Sequence, residues 1–345
     1  MTPRARARLI GALATGLYRS GGVRTLSFAS RHLALRRPGR LFRRRPAFQI
    51  LVYHRVNDDF DPFFSSVPAS VFDSQMAYIA RGYRVCTVEE LFDRSRRGGL
   101  PRDALAITFD DGYRDTLTHA APILAKHGLP ATVFLATGFI GTAEVPWFDR
   151  LAMAFKTTRA SSFVTPWDES LSLATQADRV RAMERMLGYL KRARDEALRD
   201  TIAALLETLG VTDQRCFKNL MLTWDDVHAL RGLGFTVGAH TVHHPILSRI
   251  SAHRAWTEII GSRTMIESAC GRAPTAFAYP NGTPEDYTET VKHLVREAGF
   301  NCAVTTRFGL NTADTSPYEL RRGGPWEHEL PTFALKLAWY RLVGV

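Results

Sequence analysis

Residues 1–46 contain no aspartate, no glutamate and no lysine, yet they hold 12 arginines. That absence locates the formal charge of +11, because the rest of the chain carries 33 basic against 34 acidic residues. A near-neutral body does not continue the basic surface, which argues against a nucleic-acid-binding protein. The arm also lacks a long apolar run. Its longest uncharged stretch, Leu9 to Tyr18, is shorter than the roughly 20 residues a bilayer span needs, and Leu9-Ile10-Gly11 is too brief for a secretory signal. Cysteine is scarce: Cys86, Cys216, Cys270 and Cys302 lie far apart with no C-x-x-C spacing. This excludes a zinc knuckle or a dense disulfide framework and is compatible with a reducing compartment. There is no internal repeat and no long low-complexity segment. With 345 residues, 45% of them hydrophobic, the chain suits one barrel-sized domain with an insertion.

What the arm does contain is periodic. At about 100° per residue, Leu9, Ile10, Leu13, Ala14 and Leu17 share an arc opposite Arg4, Arg8 and Arg19. Followed by Arg36-Arg37 and Arg43-Arg44-Arg45, such a helix would lie on an anionic membrane surface. The expectation is a cytoplasmic protein held peripherally at the inner face of the plasma membrane. A solvated basic tail is the plainer alternative.

The body is organised around Ala104 to Asp115, ALAITFDDGYRD. Leu105 to Phe109 reads as a buried strand that stops at Asp110-Asp111-Gly112. Extended backbone alternates its side chains, so the two carboxylates should point in different directions, one towards a metal and one towards a substrate. Gly112 lets the chain turn. Two solvated loop acids would be the bland interpretation, but a second stretch, Phe235 to Pro245, ends another strand with His240 and His244. Spaced i, i+4 in a helical turn, these imidazoles would share a side. With Asp111 they make an N2O set that leaves a zinc-like ion an open position for water, as a hydrolytic site needs.

Here the chain resembles the NodB-like polysaccharide deacetylases, carbohydrate esterase family 4. TFDDG (Thr108 to Gly112) is similar to the family's first motif, HTVHHP (His240 to Pro245) to its H-[S/T]-x-x-H-P motif, and FAYPNG (Phe277 to Gly282) to its proline-containing third motif. The resemblance spans roughly Phe48 to Pro325. It implies an α/β fold, a distorted (β/α) barrel from residue 47 onward, with Asp111, His240 and His244 holding a divalent metal, zinc first, with cobalt or nickel as alternatives. It also implies hydrolysis of N-acetyl groups on an amino-sugar glycan. Asp110 would be the general base, and the backbone N–H of Asn281 would help hold the oxyanion. YHRV, after the strand Phe48 to Tyr53, resembles the segment that supplies the catalytic acid in circularly permuted members, which makes His54 the proton donor. Tyr113, Tyr279 and Pro280 are candidate substrate contacts. His243 is given no role. The chain departs from the family pattern at Ala278, where an arginine normally orients the catalytic carboxylate. Arg321 or Arg322 is the candidate replacement, and Arg321 is placed in the site.

The other elements are structural. Helices are expected at Ser70–Gly82, from Thr87, at Thr116–His127 before Gly128, from Thr223 to Leu233 and at Ser251–Ala269, with strands at Ala131–Ala136 and Ala303–Thr306. Leu330–Tyr340 closes the chain. Residues 151–222 read as a helical insertion, either a lid or a solvated helical pair, with one continuous helical pattern from Ser172 to Leu209. Trp147, in the loop before it, is a candidate sugar-stacking residue or a packed aromatic. Deformylation, cyclic-imide hydrolysis or a non-catalytic glycan scaffold remain alternatives. Glycosidase chemistry does not fit, because adjacent residues of one strand cannot flank a bond from opposite sides. A lipid-linked or nascent glycan is the preferred substrate.

Overall fold

The structure, a computed structural model, describes residues 14–16, 18, 46–210, 217, 219–324 and 327–343. In chain order the elements are β1 (Phe48–Tyr53), α1 (Ala69–Gly82), β2 (Arg84–Val85), α2 (Val88–Arg97), β3 (Ala104–Phe109), and a π turn (Thr116–Ala120) running into α3 (Ala121–His127). Then come β4 (Ala131–Leu135), α4 (Trp147–Thr157), the pair β5 (Ser162–Val164) and β6 (Ser170–Ser172), α5 (Gln176–Leu190), α6 (Asp195–Thr208) and α7 (Trp224–Gly232). The chain ends with β7 (Phe235–Ala239), α8 (Ala252–Cys270), β8 (Ala276–Ala278), α9 (Glu289–Glu297), β9 (Cys302–Val304) and α10 (Leu330–Val343).

All strands except the β5–β6 hairpin form one parallel sheet in the order β1-β3-β4-β7-β8-β9, with β2 on the start of β3. β1, β3 and β4 are buried at every position, because helices cover the outer face and the curl of the sheet covers the inner one. Their side chains divide by alternation. Leu105, Ile107 and Phe109 join the large cluster under the helices, whereas Ala104 and Ala106 join a second cluster with Phe134, Ala276, Ala278 and Val304. The registers Tyr53↔Phe109, Leu135↔Ala239 and Ala239↔Phe277 bring the carboxyl ends of the strands to one level, the end where α/β sheets place their sites. The sheet closes through residues 320–323: Leu320 pairs with β9 (N–H to Ala303 O, 2.9 Å), and Gly323 donates to Ile50 O of β1 at 3.1 Å.

Most expected elements are present within a residue or two, and two differ. The expected helix at Thr116–His127 opens as a π turn, because Pro122 cannot donate to Thr118 and the turn before it widens. The pattern from Ser172 is two helices, α5 and α6, broken at residues 191–194 and preceded by the unforeseen hairpin. These insertion elements pack on α4 around Leu151, Phe155, Met186, Leu190 and Ile202, a core of their own that also takes Phe63 from the loop after β1.

Most of the arm, including Leu9, Leu13 and Leu17, lies outside the described residues. Of the arc expected to face lipid, Ala14 is described and is buried; Tyr18, outside that arc, sits with its ring 6.3 Å from Tyr78 of α1, in a cluster with Ala334 and Ala338 of α10. No described helix is long and apolar enough to cross a membrane.

Candidate active site

Alternation along β3 continues past its end. Thr108 and Asp110 follow Ala104 and Ala106 onto the inner face, where the 320–323 segment brings Arg322. This arginine, 0% exposed, forks onto Asp110: Nη1 donates to Oδ1 at 2.7 Å and Nη2 to Oδ2. Nη1 also reaches Thr108 Oγ1 at 3.2 Å, Nε donates to Thr305 O at 3.0 Å, and the guanidinium lies 5.5 Å from the Phe134 ring. Burial alone would raise the Asp110 pKa, but Arg322 and the nearby His240 outweigh it and hold the carboxyl below the usual carboxylate range. The expectation for Arg321 is corrected here. Its neighbour on the inner face makes the contact, while the Arg321 backbone is tied to Asn311 (N–H to Oδ1, 2.7 Å; O from Nδ2, 2.7 Å).

Asp111 points elsewhere. Its φ of +73° lies in the left-handed region, as does Gly112 at +89°, so the chain reverses and the Asp111 carboxylate meets the β7 end. Asp111 Oδ1 lies 3.5 Å from His240 Nε2 and 3.4 Å from His244 Nε2, and one ligand atom from each of the three buried residues falls within 4.8 Å of the others. His240 Nδ1 is 2.7 Å from Ala278 O; donation from this nitrogen leaves Nε2 with a free lone pair towards Asp111. Asp111 Oδ1 is buried and accepts no hydrogen bond. Such an atom costs stability unless something positive meets it. A carboxylate oxygen facing two imidazole nitrogens fits a divalent ion of the zinc class, which accepts this donor set with room for a further ligand. Burial, then the charge of His240, pushes His244 down to about 4, so this imidazole stays neutral as a ligand must.

The histidine pair does not share a helical turn, contrary to the spacing argument. Residues 240–244 form a loop in which Thr241 (φ +67°) and His244 (φ +55°) are both left-handed, backbone strain of a kind that surrounding contacts must hold. The holding groups are Thr241 Oγ1, which accepts from His244 N–H at 3.0 Å, and Glu258 of α8. Glu258 accepts from the N–H groups of Val242 (3.0 Å) and His243 (2.8 Å) and lies 3.0 Å from His243 Nδ1. Sequence reasoning missed Glu258. Its signal was an acid on the face of α8 that also carries Ala255, Ile259, Ser262 and Ile266, all buried.

A cleft of about 490 Å³ adjoins the triad, lined in part by His54, Arg55, Asp111, Tyr113, Phe148 and Asp149. His54 follows β1 and is exposed there. Tyr113 lines the cleft, and its hydroxyl donates to Asp149 at 2.8 Å. Burial pushes Asp149 up to about 7, with the Tyr113 bond and Arg55 opposing. Arg55, also missed, pairs with Asp115 at 3.2 Å and lies 5.1 Å from the Tyr113 ring. Trp147 is not among the lining residues. It packs on the insertion core, and Phe148 faces the cleft with its ring 5.2 Å from that of His244, because adjacent helical residues point about 100° apart. Tyr279 is also corrected. It is fully buried, stacked 4.4 Å from Tyr287, and its hydroxyl donates to Tyr318 O. Pro280 is buried in the turn after it. Asn281, at φ +58°, has its carbonyl tied to Thr306 Oγ1 at 2.8 Å.

A sequence profile described as polysaccharide deacetylase matches residues 97–303. Bacillus subtilis (strain 168) YxkH, named as a polysaccharide deacetylase, is 20% identical over 275 residues, covering 79% of this chain and 69% of that protein. The poly-beta-1,6-N-acetyl-D-glucosamine N-deacetylase of Staphylococcus aureus (strain MSSA476) is 33% identical over 105 residues, 26% of this chain and 36% of the staphylococcal enzyme. The match therefore spans only about a third of that relative. In fold, the chain is similar to Streptococcus pyogenes deacetylase PplD in complex with acetate (TM-score 0.55, 20% identity, 84% of this chain and 99% of that one). It is likewise similar to IcaB from Ammonifex degensii (TM-score 0.54, 19% identity, 84% and 97%). With the profile matching well over half of the sequence, this chain belongs to the polysaccharide deacetylase family.

Proposed function

We propose that the protein is a metal-dependent hydrolase that removes N-acetyl groups from amino-sugar residues of a glycan, with Asp111, His240 and His244 holding the ion. The observation that carries this reading is the buried, unsatisfied Asp111 Oδ1 facing two imidazole nitrogens at the mouth of a cleft. A divalent ion bound there would supply Lewis acidity, polarising the acetyl carbonyl and acidifying water. Asp110, kept ionised by the Arg322 fork, is in the form that takes a proton from the attacking water, and the fork fixes its direction. The backbone N–H of Asn281 helps hold charge on the acetyl oxygen. His54, on the cleft wall, gives a proton to the departing nitrogen, since an amine leaves far more readily than an amide anion. The products are acetate and a free amino sugar.

Poly-β-1,6-linked N-acetylglucosamine, the polymer in the name of the staphylococcal relative, is the first substrate to try. The arginine-rich arm favours a glycan met at an anionic membrane surface, lipid-linked or nascent, with the protein peripheral on the cytoplasmic side. Zinc-loaded protein should release acetate from a β-1,6-linked N-acetylglucosamine pentamer, and Asp110→Asn should keep the ion while turnover falls at least a hundredfold. Full activity in that variant would remove Asp110 from the mechanism. Recovery of the protein entirely in the soluble fraction after low-salt lysis would remove the membrane assignment.

A further inference from the structure

The protein supplies its buried acids unequally. Asp110 receives the Arg322 fork, Asp115 accepts from Arg55 Nε (3.2 Å) and Asn57 Nδ2 (2.8 Å), and Glu258 accepts two backbone N–H bonds beside the His243 ring. Asp111 and Asp149 differ from these three. Asp111 is suited to a cation, as argued above. Asp149 is 3% exposed, and its carboxyl takes one side-chain hydrogen bond, from Tyr113. A carboxylate accepts up to about four. Arg55 acts on Asp149 through its charge, but its ion pair is with Asp115.

Its position suggests what it is for. Asp149 lines the same cleft as Asp111 and His54, in the first turn of α4. Tyr113, which holds it, is two residues beyond Asp111. Phe148, its chain neighbour, lies edge-on against His244. The carboxyl is thus set between two side chains that border the triad, in a cleft whose lining mixes apolar Phe63 and Leu151 with polar Ser65, Ser66 and Glu184. A sugar whose acetamido group lay at the triad would present hydroxyl and N–H donors to that cleft, where Asp149 is a buried acceptor with hydrogen-bonding capacity beyond the Tyr113 bond.

We propose that Asp149 is a substrate-contacting residue. It accepts a hydrogen bond from a hydroxyl or amide N–H of the sugar bound at the triad, and Tyr113 acts as a positioning residue that fixes its carboxyl. This rests on the deacetylase reading and deepens it. It names a sugar-recognising acceptor at the site, whereas a purely structural role would end with the bond to Tyr113 and the start of α4.

The test measures affinity, so that it does not depend on turnover. Full-length, zinc-loaded Asp110→Asn protein is titrated with the β-1,6-linked N-acetylglucosamine pentamer, with and without Asp149→Ala or Asp149→Asn. Asparagine keeps the side-chain volume and the Tyr113 bond through its carbonyl while turning an NH2 donor to the cleft, so it decides the matter if the alanine variant does not fold. The expected result is a Kd at least tenfold weaker in both variants at unchanged zinc content. With Asp110 restored, KM should rise at least as much while kcat changes less than threefold, a split that a loss of folded protein would not give. Pentamer affinity within twofold of the parent in the folded variants would overturn the proposal. If wild-type protein binds the pentamer without releasing acetate, the deacetylase reading fails and the affinity comparison still decides the role of Asp149. If it does not bind the pentamer, both fail.

Discussion

Replacing Arg322 with glutamine tests the part of the site that departs from the family pattern. Arg322→Gln removes the charge that forks onto Asp110, together with the bonds to Thr108 and Thr305 O and the contact with Phe134. What remains is a carboxylate in a fully buried position without its counter-charge. Taking one partner from a buried ion pair costs about 3–5 kcal/mol, a large share of the about 5–15 kcal/mol that separates most folded domains from unfolding. The pair should also be strongly coupled. Asp110→Asn strands the guanidinium, but Arg322→Gln with Asp110→Asn replaces two charges by two amides, so the double variant should be more stable than the sum of the single effects by about 2 kcal/mol or more. The assay is denaturant unfolding of chelator-treated protein across pH. Arg322 holds the folded-state pKa of Asp110 below the ordinary carboxylate range, so this stabilisation is present above the unfolded-state value, about 3.9, and is lost as pH falls through the depressed one. In Arg322→Gln burial acts unopposed by the fork and raises the folded pKa, which penalises the variant most at neutral pH. The gap between wild type and variant should therefore be widest near pH 7 and narrow below about pH 4. A gap under about 1 kcal/mol at pH 7, or one independent of pH, would refute the reasoning.

Other outcomes follow from the same geometry. His54→Ala should keep the metal and lower kcat on an N-acetylated sugar by about 10²–10⁴-fold, with a smaller loss on an aryl acetate, whose phenolate needs no proton to leave; steady-state kinetics on the two substrates checks this. Glu258→Gln should loosen the 241–244 loop and weaken metal binding by about 10–100-fold, read by competition with a chromophoric chelator. Gly238→Ala would place a Cβ 2.4 Å from the Phe134 ring and 3.0 Å from Ala276 O; such overpacking costs about 1–3 kcal/mol, measurable as a lower denaturant midpoint.

Much of this was legible because the strongest signals in the chain are those of buried parallel strands. Apolar runs such as FQILVY and ALAITF have no helical period and end abruptly in charge, so they declared both the sheet and the end that carries the site. Alternation along the strand placed Asp110 and Asp111 on different sides, and the left-handed backbone at Asp111 turns its carboxylate further towards β7. Other features depended on long-range contact. Arg321 and Arg322 are adjacent in a segment with no regular structure, and only its seating between β9 and β1 decides which one turns inward. The aromatic residues divided for a similar reason: Trp147 and Phe148 begin a helix whose rotational phase is set by the insertion core, and Tyr279 falls under Tyr287, about which its own segment says nothing. The i, i+4 histidine spacing singled out two residues that converge on Asp111, but not through a helical turn, since the left-handed backbone at Thr241 and His244 is held by Thr241 Oγ1 and by Glu258 of a separate helix. Asp149 looked like an ordinary first-turn acid, and only the cleft beside it makes it unusual.

The central claim is that Asp111, His240 and His244 hold an ion required for deacetylation. The most direct measurement is acetate release from the N-acetylglucosamine pentamer before chelation, after exhaustive chelation and after zinc is returned. The account predicts that activity disappears on chelation, returns with about one equivalent of zinc, and fails to return in Asp111→Ala. Undiminished release from fully chelated protein would contradict it.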